Sequence, residues 1–228
     1  MPIRNRTFAL IYRLIALGVG IFTCVLLFSS GSSNGFQQLA YFGTESSLAA
    51  VIIIVLEVIF NLIDLIRHGN SGVAAYVYMP LTLGVLSLLL SDAVCYSIVS
   101  PFLGGYSQGT PLLTTIFSHA VLPFMFFLDY LLFDEKGTVP WKNGIYWMAY
   151  PVFYFAFTMA AHYIFNSSYF PYKFLDAAKF VNRGGFLAGN DGWNGVVLSV
   201  GLLAVGLVGA GFLTIFLNNL LSGKYKKR

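Results

Sequence analysis

The sequence predicts an all-α, polytopic membrane protein, a bundle of six transmembrane helices forming one domain over residues 1–228. Three observations point to this. Hydrophobic residues make up 57% of the chain and charged residues 10%, against about 25% charged in a soluble domain. Mean hydropathy is +0.76. The apolar residues also gather into six runs near the length of helix, roughly 20 residues, that crosses about 30 Å of hydrocarbon. These runs are continuous, whereas barrel strands would be about 10 residues each with alternating polarity. The same composition excludes a soluble enzyme and a nucleic-acid-binding module, so no nucleic-acid partner is expected.

The first span, about 8–30, follows Arg4 and Arg6. It is too long for the apolar core of a signal peptide and lacks an A-x-A site, which predicts a retained helix. Ala16 and Gly20 stand four apart in it, a spacing that lets helix backbones approach closely. The second span, about 44–66, follows the turn-forming Gly31–Gly35 stretch and carries Glu57, Asn61 and Asp64 on one stripe. The third, about 77–99, holds Asp92 and Cys95, and the Gly104–Ser107 connection leads to the fourth, about 111–133, with His119 and Asp129. The fifth, about 144–165, sets Tyr150, Tyr154, Thr158 and His162 at four-residue steps, and the sixth, about 193–220, carries the small pair Gly206 and Ala210. Cys24 and Cys95 lie inside apolar runs and act as small hydrophobes, so no disulfide is expected.

Charge sets the orientation. With the N-terminus inside, ten Lys and Arg fall on the inner side: Arg4, Arg6, Arg13, Arg67, Lys136, Lys142, Lys224, Lys226, Lys227 and Arg228. Three fall outside: Lys173, Lys179 and Arg183. The positive-inside rule then puts both termini in the cytoplasm, and the basic tail from Lys224 anchors the last span and attracts anionic lipid.

Ionisable groups are costly inside a bilayer, so their depths are informative. At about 1.5 Å rise per residue, the alternating helices bring Thr44, Glu45, Asp92, His119 and His162 to one outer layer. A hydroxyl nucleophile needs a base, most often His, and a third group to orient it. Thr44 with His119, oriented by Asp92 or Glu45, fits that requirement, with Ser46, Ser47 and Ser118 as competing hydroxyls and no G-x-S-x-G elbow. His119, His162 and Asp92 or Glu45 also match the two-His, one-carboxylate set of catalytic zinc, though no H-E-x-x-H motif accompanies them. A second layer toward the cytoplasm holds Glu57, Asn61, Asp64 and Asp129, with Asp64 meeting Arg67 or its neighbours. It reads as a hydrogen-bonded network, a proton path or an ion site.

The second-helix entry Tyr41-Phe42-Gly43-Thr44-Glu45-Ser46-Ser47-Leu48 resembles the "F-T-x-x-S/T-N-L" entry of the androgen-induced-gene family of six-span membrane proteins and its bacterial relatives. His119-Ala120-Val121-Leu122-Pro123 is similar to that family's "H-x-x-x-P" fourth helix. Trp141, Tyr150-Pro151 and Tyr169-Phe170-Pro171-Tyr172-Lys173-Phe174-Leu175-Asp176 echo its later signatures. The chain departs from the pattern at Glu45 and in lacking the entry Asn. Characterised animal members are threonine hydrolases that cleave the branching ester of fatty acids esterified to hydroxy fatty acids. The resemblance implies Thr44 as nucleophile, His119 as its partner, a membrane-lipid substrate and residence in a bacterial plasma membrane.

The leading expectation is thus an intramembrane hydrolase of a lipid ester, with Thr44, His119 and Asp92 catalytic and Glu45, Ser47, Tyr154, Thr158 and His162 lining or supporting the site. It calls for no metal and no cofactor. The alternatives are a small ion- or proton-coupled transporter using Glu57, Asp64 and Asp129, a metal-dependent intramembrane hydrolase, and a non-catalytic scaffold.

Overall fold

A computed structural model of the chain describes residues 2–29, 38–96, 111–164, 170–178, 189 and 191–222. The Gly31–Gly35 and Gly104–Ser107 connections, Lys179, Arg183 and the tail from Lys224 lie outside these residues. Among the described residues the fold is all-helical. Its main elements are α1 (Arg6–Ser29), α2 (Phe42–His68), α3 (Met79–Val94), α4 (Leu112–Phe133), α5 (Ala149–Ile164) and α6 (Gly192–Leu221). Four of them, α1, α2, α4 and α6, are long and apolar enough to cross a membrane.

The remaining two have 16 α-helical residues each among those described, and both start later than the sequence predicts. The helix expected over 144–165 is broken into a short turn, Asn143–Tyr146, and α5. Pro151 is the physical reason. In a continuous helix its ring would meet the Trp147 carbonyl and its missing N–H would leave that carbonyl unpaired. Restarting at Ala149 puts Pro151 in the first turn, where an N–H has no helical partner anyway. The first bond of the new helix is Val152 N–H to Met148 O.

The helices run up and down. The Asn5–Ser71 bridge joins the start of α1 to the end of α2, and Ile3 N–H reaches Leu132 O near the end of α4. Gly20 allows α1 to sit tightly on α2, because a Cβ there would lie 2.7 Å from Val51 Cγ2. Gly206, by contrast, has nothing near it, and the close approach of α6 is made by Gly211 against Gly144 O and Trp147. The core of Ile53, Ile54, Leu83, Leu86, Leu122 and Phe126 fills the space between α2, α3 and α4, with Ile215 of α6 closing one side. Outward faces are apolar as well, with Ile11, Ile15, Ile52, Ile59, Val197 and Val205 exposed. Such an exterior is compatible with lipid as the solvent of an integral membrane protein.

Candidate functional site

The first turn of α2 begins the site. Tyr41 supplies no side-chain cap, and the Phe42 N–H donates to the Tyr172 hydroxyl at 3.0 Å. The next residue, Gly43, is pressed against α3, where an added Cβ would lie 2.8 Å from Asp92 Oδ2. A glycine is required here by contact rather than by backbone twist. Thr44 follows, buried at 2% exposure. Ser46 and Ser47 both donate their hydroxyls back to Gly43 O, at 3.0 and 2.8 Å. The Thr44 hydroxyl takes no hydrogen bond among the described residues, so it alone of these three is uncommitted.

His119 comes from an irregular part of α4. Residues Phe117–Val121 form a π-helical turn in which Leu122 N–H reaches Phe117 O, five residues back. Pro123 sits one position on and cannot donate to His119 O, so the ladder widens ahead of it. The imidazole that results is largely buried. Its Nε2 stands 3.6 Å from Asp92 Oδ2, its Nδ1 is hydrogen-bonded with Ser118 Oγ, and its ring lies 4.1 Å from that of Tyr96. Asp92 therefore lies between Gly43, the residue before Thr44, and His119. No hydrogen bond joins Thr44 directly to His119 among the described residues.

Asp92 also lines a cavity of about 170 Å³ between α3, α5, α6 and the Tyr172–Leu175 turn. Its walls include Phe42, Pro151, Phe155, Phe174, Leu203 and Leu207. Ser91, Asp92, Cys95, Tyr154 and Tyr172 are the lining residues with polar groups, and the rest of the wall is apolar.

The supporting residues expected from sequence separate. Glu45 accepts a short hydrogen bond from Tyr150, and Tyr154 donates to Ala40 O at 2.6 Å while lining the cavity. Ser47 and Thr158 are committed to backbone carbonyls, Thr158 to Tyr154 O at 2.8 Å. His162 does not join His119. It stacks on Phe170, ring centroids 3.9 Å apart, eight residues (about 12 Å of helix) beyond Tyr154. The break before α5 is the reason: that helix starts afresh at Ala149, so a count from residue 144 does not set the height of His162. The two-His, one-carboxylate metal set of His119, His162 and Asp92 or Glu45 is accordingly not assembled among the described residues.

The second predicted layer is assembled, around a residue the charge pattern had assigned to the membrane surface. Arg13, fully buried two turns into α1, meets three carboxylates. Its Nε lies 3.5 Å from Glu57 and 3.0 Å from Asp129, and a terminal nitrogen lies 3.2 Å from Asp134. Another terminal nitrogen donates to Ala75 O. Burial, with Asp129 beside it, pushes the Asp134 carboxyl up to about 7 despite Arg13. Lys136, held on the carbonyls of Tyr130 and Asp134, is lowered to about 8 by burial. Asp64 stands apart from this group, paired with Arg6 at 3.7 Å and with His68, the neighbour of Arg67, at 3.3 Å. Neither Asp134 nor Arg13 is among the site residues expected from sequence. An arginine within an apolar run was the available signal.

No family model, curated protein or solved structure matches this chain.

Proposed function

We propose that this chain is a six-span, multi-pass protein of a bacterial plasma membrane, both termini cytoplasmic, that hydrolyses a lipid ester near the outer leaflet. The observation that carries the reading is the position of Asp92. Its carboxylate lies against Gly43, the residue before Thr44, on one side and 3.6 Å from His119 on the other, and Asp92 lines an apolar cavity. A buried acid–imidazole pair beside an uncommitted hydroxyl is what acyl transfer requires. An apolar chamber with few polar groups suits an acyl chain. The resemblance of Phe42-Gly43-Thr44 and His119–Pro123 to the androgen-induced-gene hydrolases supports the same residues.

In this mechanism the Thr44 hydroxyl attacks the ester carbonyl and its proton passes to His119 Nδ1 as Ser118 Oγ gives up that nitrogen, while Asp92 stabilises the imidazolium through Nε2. His119 returns the proton to the departing alkoxide, which leaves as an alcohol. Water, deprotonated by His119, then attacks the acyl-Thr44 ester. The fatty acid departs and the hydroxyl is restored. Thr44 and His119 close to hydrogen-bond reach when substrate is bound, as catalytic contacts do in other Michaelis complexes.

The test uses the purified full-length protein and a fluorophosphonate probe, alongside release of a fluorogenic fatty-acid ester. Wild-type protein should label and turn over, Thr44→Ala and His119→Ala should do neither, and Thr44→Ser should recover labelling. Labelling and turnover that survive Thr44→Ala would overturn the assignment.

A further inference from the structure

At the opposite end of the bundle, Glu57, Asp129 and Asp134 can each bring one carboxylate oxygen within 4.8 Å of the others. All three are buried, Glu57 at 1% and Asp134 at 0% exposure. One guanidinium, that of Arg13, serves all three, reaching Glu57 Oε2, both oxygens of Asp129, and Asp134 Oδ1. Glu57 Oε1 and Asp134 Oδ2 are left fully buried with no hydrogen-bond partner. One turn along the same face of α2, Asn61 Oδ1 is a third buried acceptor without one, its amide nitrogen being committed to Arg6 O.

These unpartnered atoms share a chemistry. Each is an acceptor, so what would complete the cluster is positive. Lys136, which faces Asp134 and Asp129, donates to the backbone carbonyls of Tyr130 and Asp134 and lies over the Tyr130 ring at 4.0 Å. Three carboxylates outnumber the two cations that face them, Arg13 and Lys136, among groups shielded from water. A buried charge persists only when paired, hydrogen-bonded or bound to a metal. The free oxygens, Glu57 Oε1 and Asn61 Oδ1 on α2 and Asp134 Oδ2 after α4, are hard ligands of the kind favoured by Mg²⁺, Mn²⁺ and Ca²⁺ rather than by zinc or copper.

From this we propose that Glu57, Asp129 and Asp134, with Arg13 on their other side, form a structural binding site for one hard divalent cation. The cation ties α2, α4 and the segment after α4 to one another. It lies at the other end of the bundle from Thr44 and His119 and does not depend on the hydrolase reading.

The experiment uses full-length protein in detergent micelles, stripped with EDTA and titrated with Mn²⁺ while free Mn²⁺ is followed by its paramagnetic resonance signal. One Mn²⁺ per chain should bind, displaceable by Mg²⁺ or Ca²⁺, and it should raise the melting temperature. Glu57→Gln and Asp134→Asn should each weaken binding tenfold or more. Location is read separately, on protein with Cys24 and Cys95 replaced by serine and a nitroxide at Ser71→Cys or at Pro111→Cys. Bound Mn²⁺ should broaden the first label. It should spare the second, which lies eighteen residues, roughly 27 Å, from Asp129 along α4. No saturable binding by the wild-type chain would overturn the proposal, leaving protons to balance the acids. So would broadening at Pro111 instead of Ser71, or affinity unchanged in both variants.

Discussion

Asp92 Oδ2 and His119 Nε2 stand 3.6 Å apart although their residues come from helices that each carry an irregular turn nearby. Asp92 lies near the end of α3, where the α-helical pattern gives way at Cys95 to a π turn, and His119 sits within the π turn of α4. Widened turns of this kind concentrate at functional positions because they re-aim side chains that a regular ladder would direct elsewhere.

Asp92→Asn keeps the shape of the carboxylate and removes its charge. Ester turnover should fall by about 100-fold or more, the scale of a positioned acid–base partner. The melting temperature in detergent should change little, and steady-state kinetics beside a thermal melt separate the two effects.

Gly43→Ala tests whether contact with Asp92 matters. The new methyl would stand 2.8 Å from Asp92 Oδ2 and must displace that carboxylate. Gly43 lies in the first turn of α2, where alanine gains little over glycine, so the melting temperature should change little once the carboxylate has moved. Turnover should fall by roughly 10-fold to 100-fold with KM little changed, since a displacement near 1 Å at a reacting group costs on that scale. Equal kcat in variant and wild type would argue against a role for this contact.

Ala204→Phe narrows the chamber from the α6 side. Long-chain esters should show a higher KM, whereas an acetyl ester should be cleaved as by the wild type. Competition between the two substrates in one assay gives the ratio directly.

Arg13→Met leaves Glu57, Asp129 and Asp134 without their shared cation. Removing one partner of a buried ion cluster costs about 3–5 kcal/mol, which chemical denaturation in micelles would detect. Adding Glu57→Gln to Arg13→Met should recover part of the loss, because the two changes act on one cluster and are not additive. A double variant as unstable as the sum of the singles would rule out that coupling.

The helices were legible because lipid-length apolar runs leave little choice of structure. The starts of α1, α2, α4 and α6 fall within two residues of the apolar boundaries. Depth counting also brought Asp92 to His119 and Glu57 to Asp129. It failed where a proline reset the ladder. Pro151 moved the start of α5, so Tyr150 rather than His162 meets Glu45. It failed again at Arg13, whose side chain pairs with acids on α2, α4 and the segment beyond. A count of charges by side of the membrane treats every arginine as a surface anchor. Pairing across the bundle appears only once the helices are packed.

The sequence distance inside the Arg13 cluster bears on how the chain is made. Asp129 and Asp134 follow Arg13 by 116 and 121 residues. At about 5–20 residues per second, synthesis delivers them several seconds or more after α1 has emerged. On the proposed topology α1 enters the bilayer during that interval with its arginine unpaired, a charge that disfavours insertion. Its long apolar flanks must hold it there alone. The first helix is thus an unfinished part until the fourth arrives, and a ribosome stalled before Asp129 would leave a nascent chain with an unanswered arginine, a natural mark for membrane quality control.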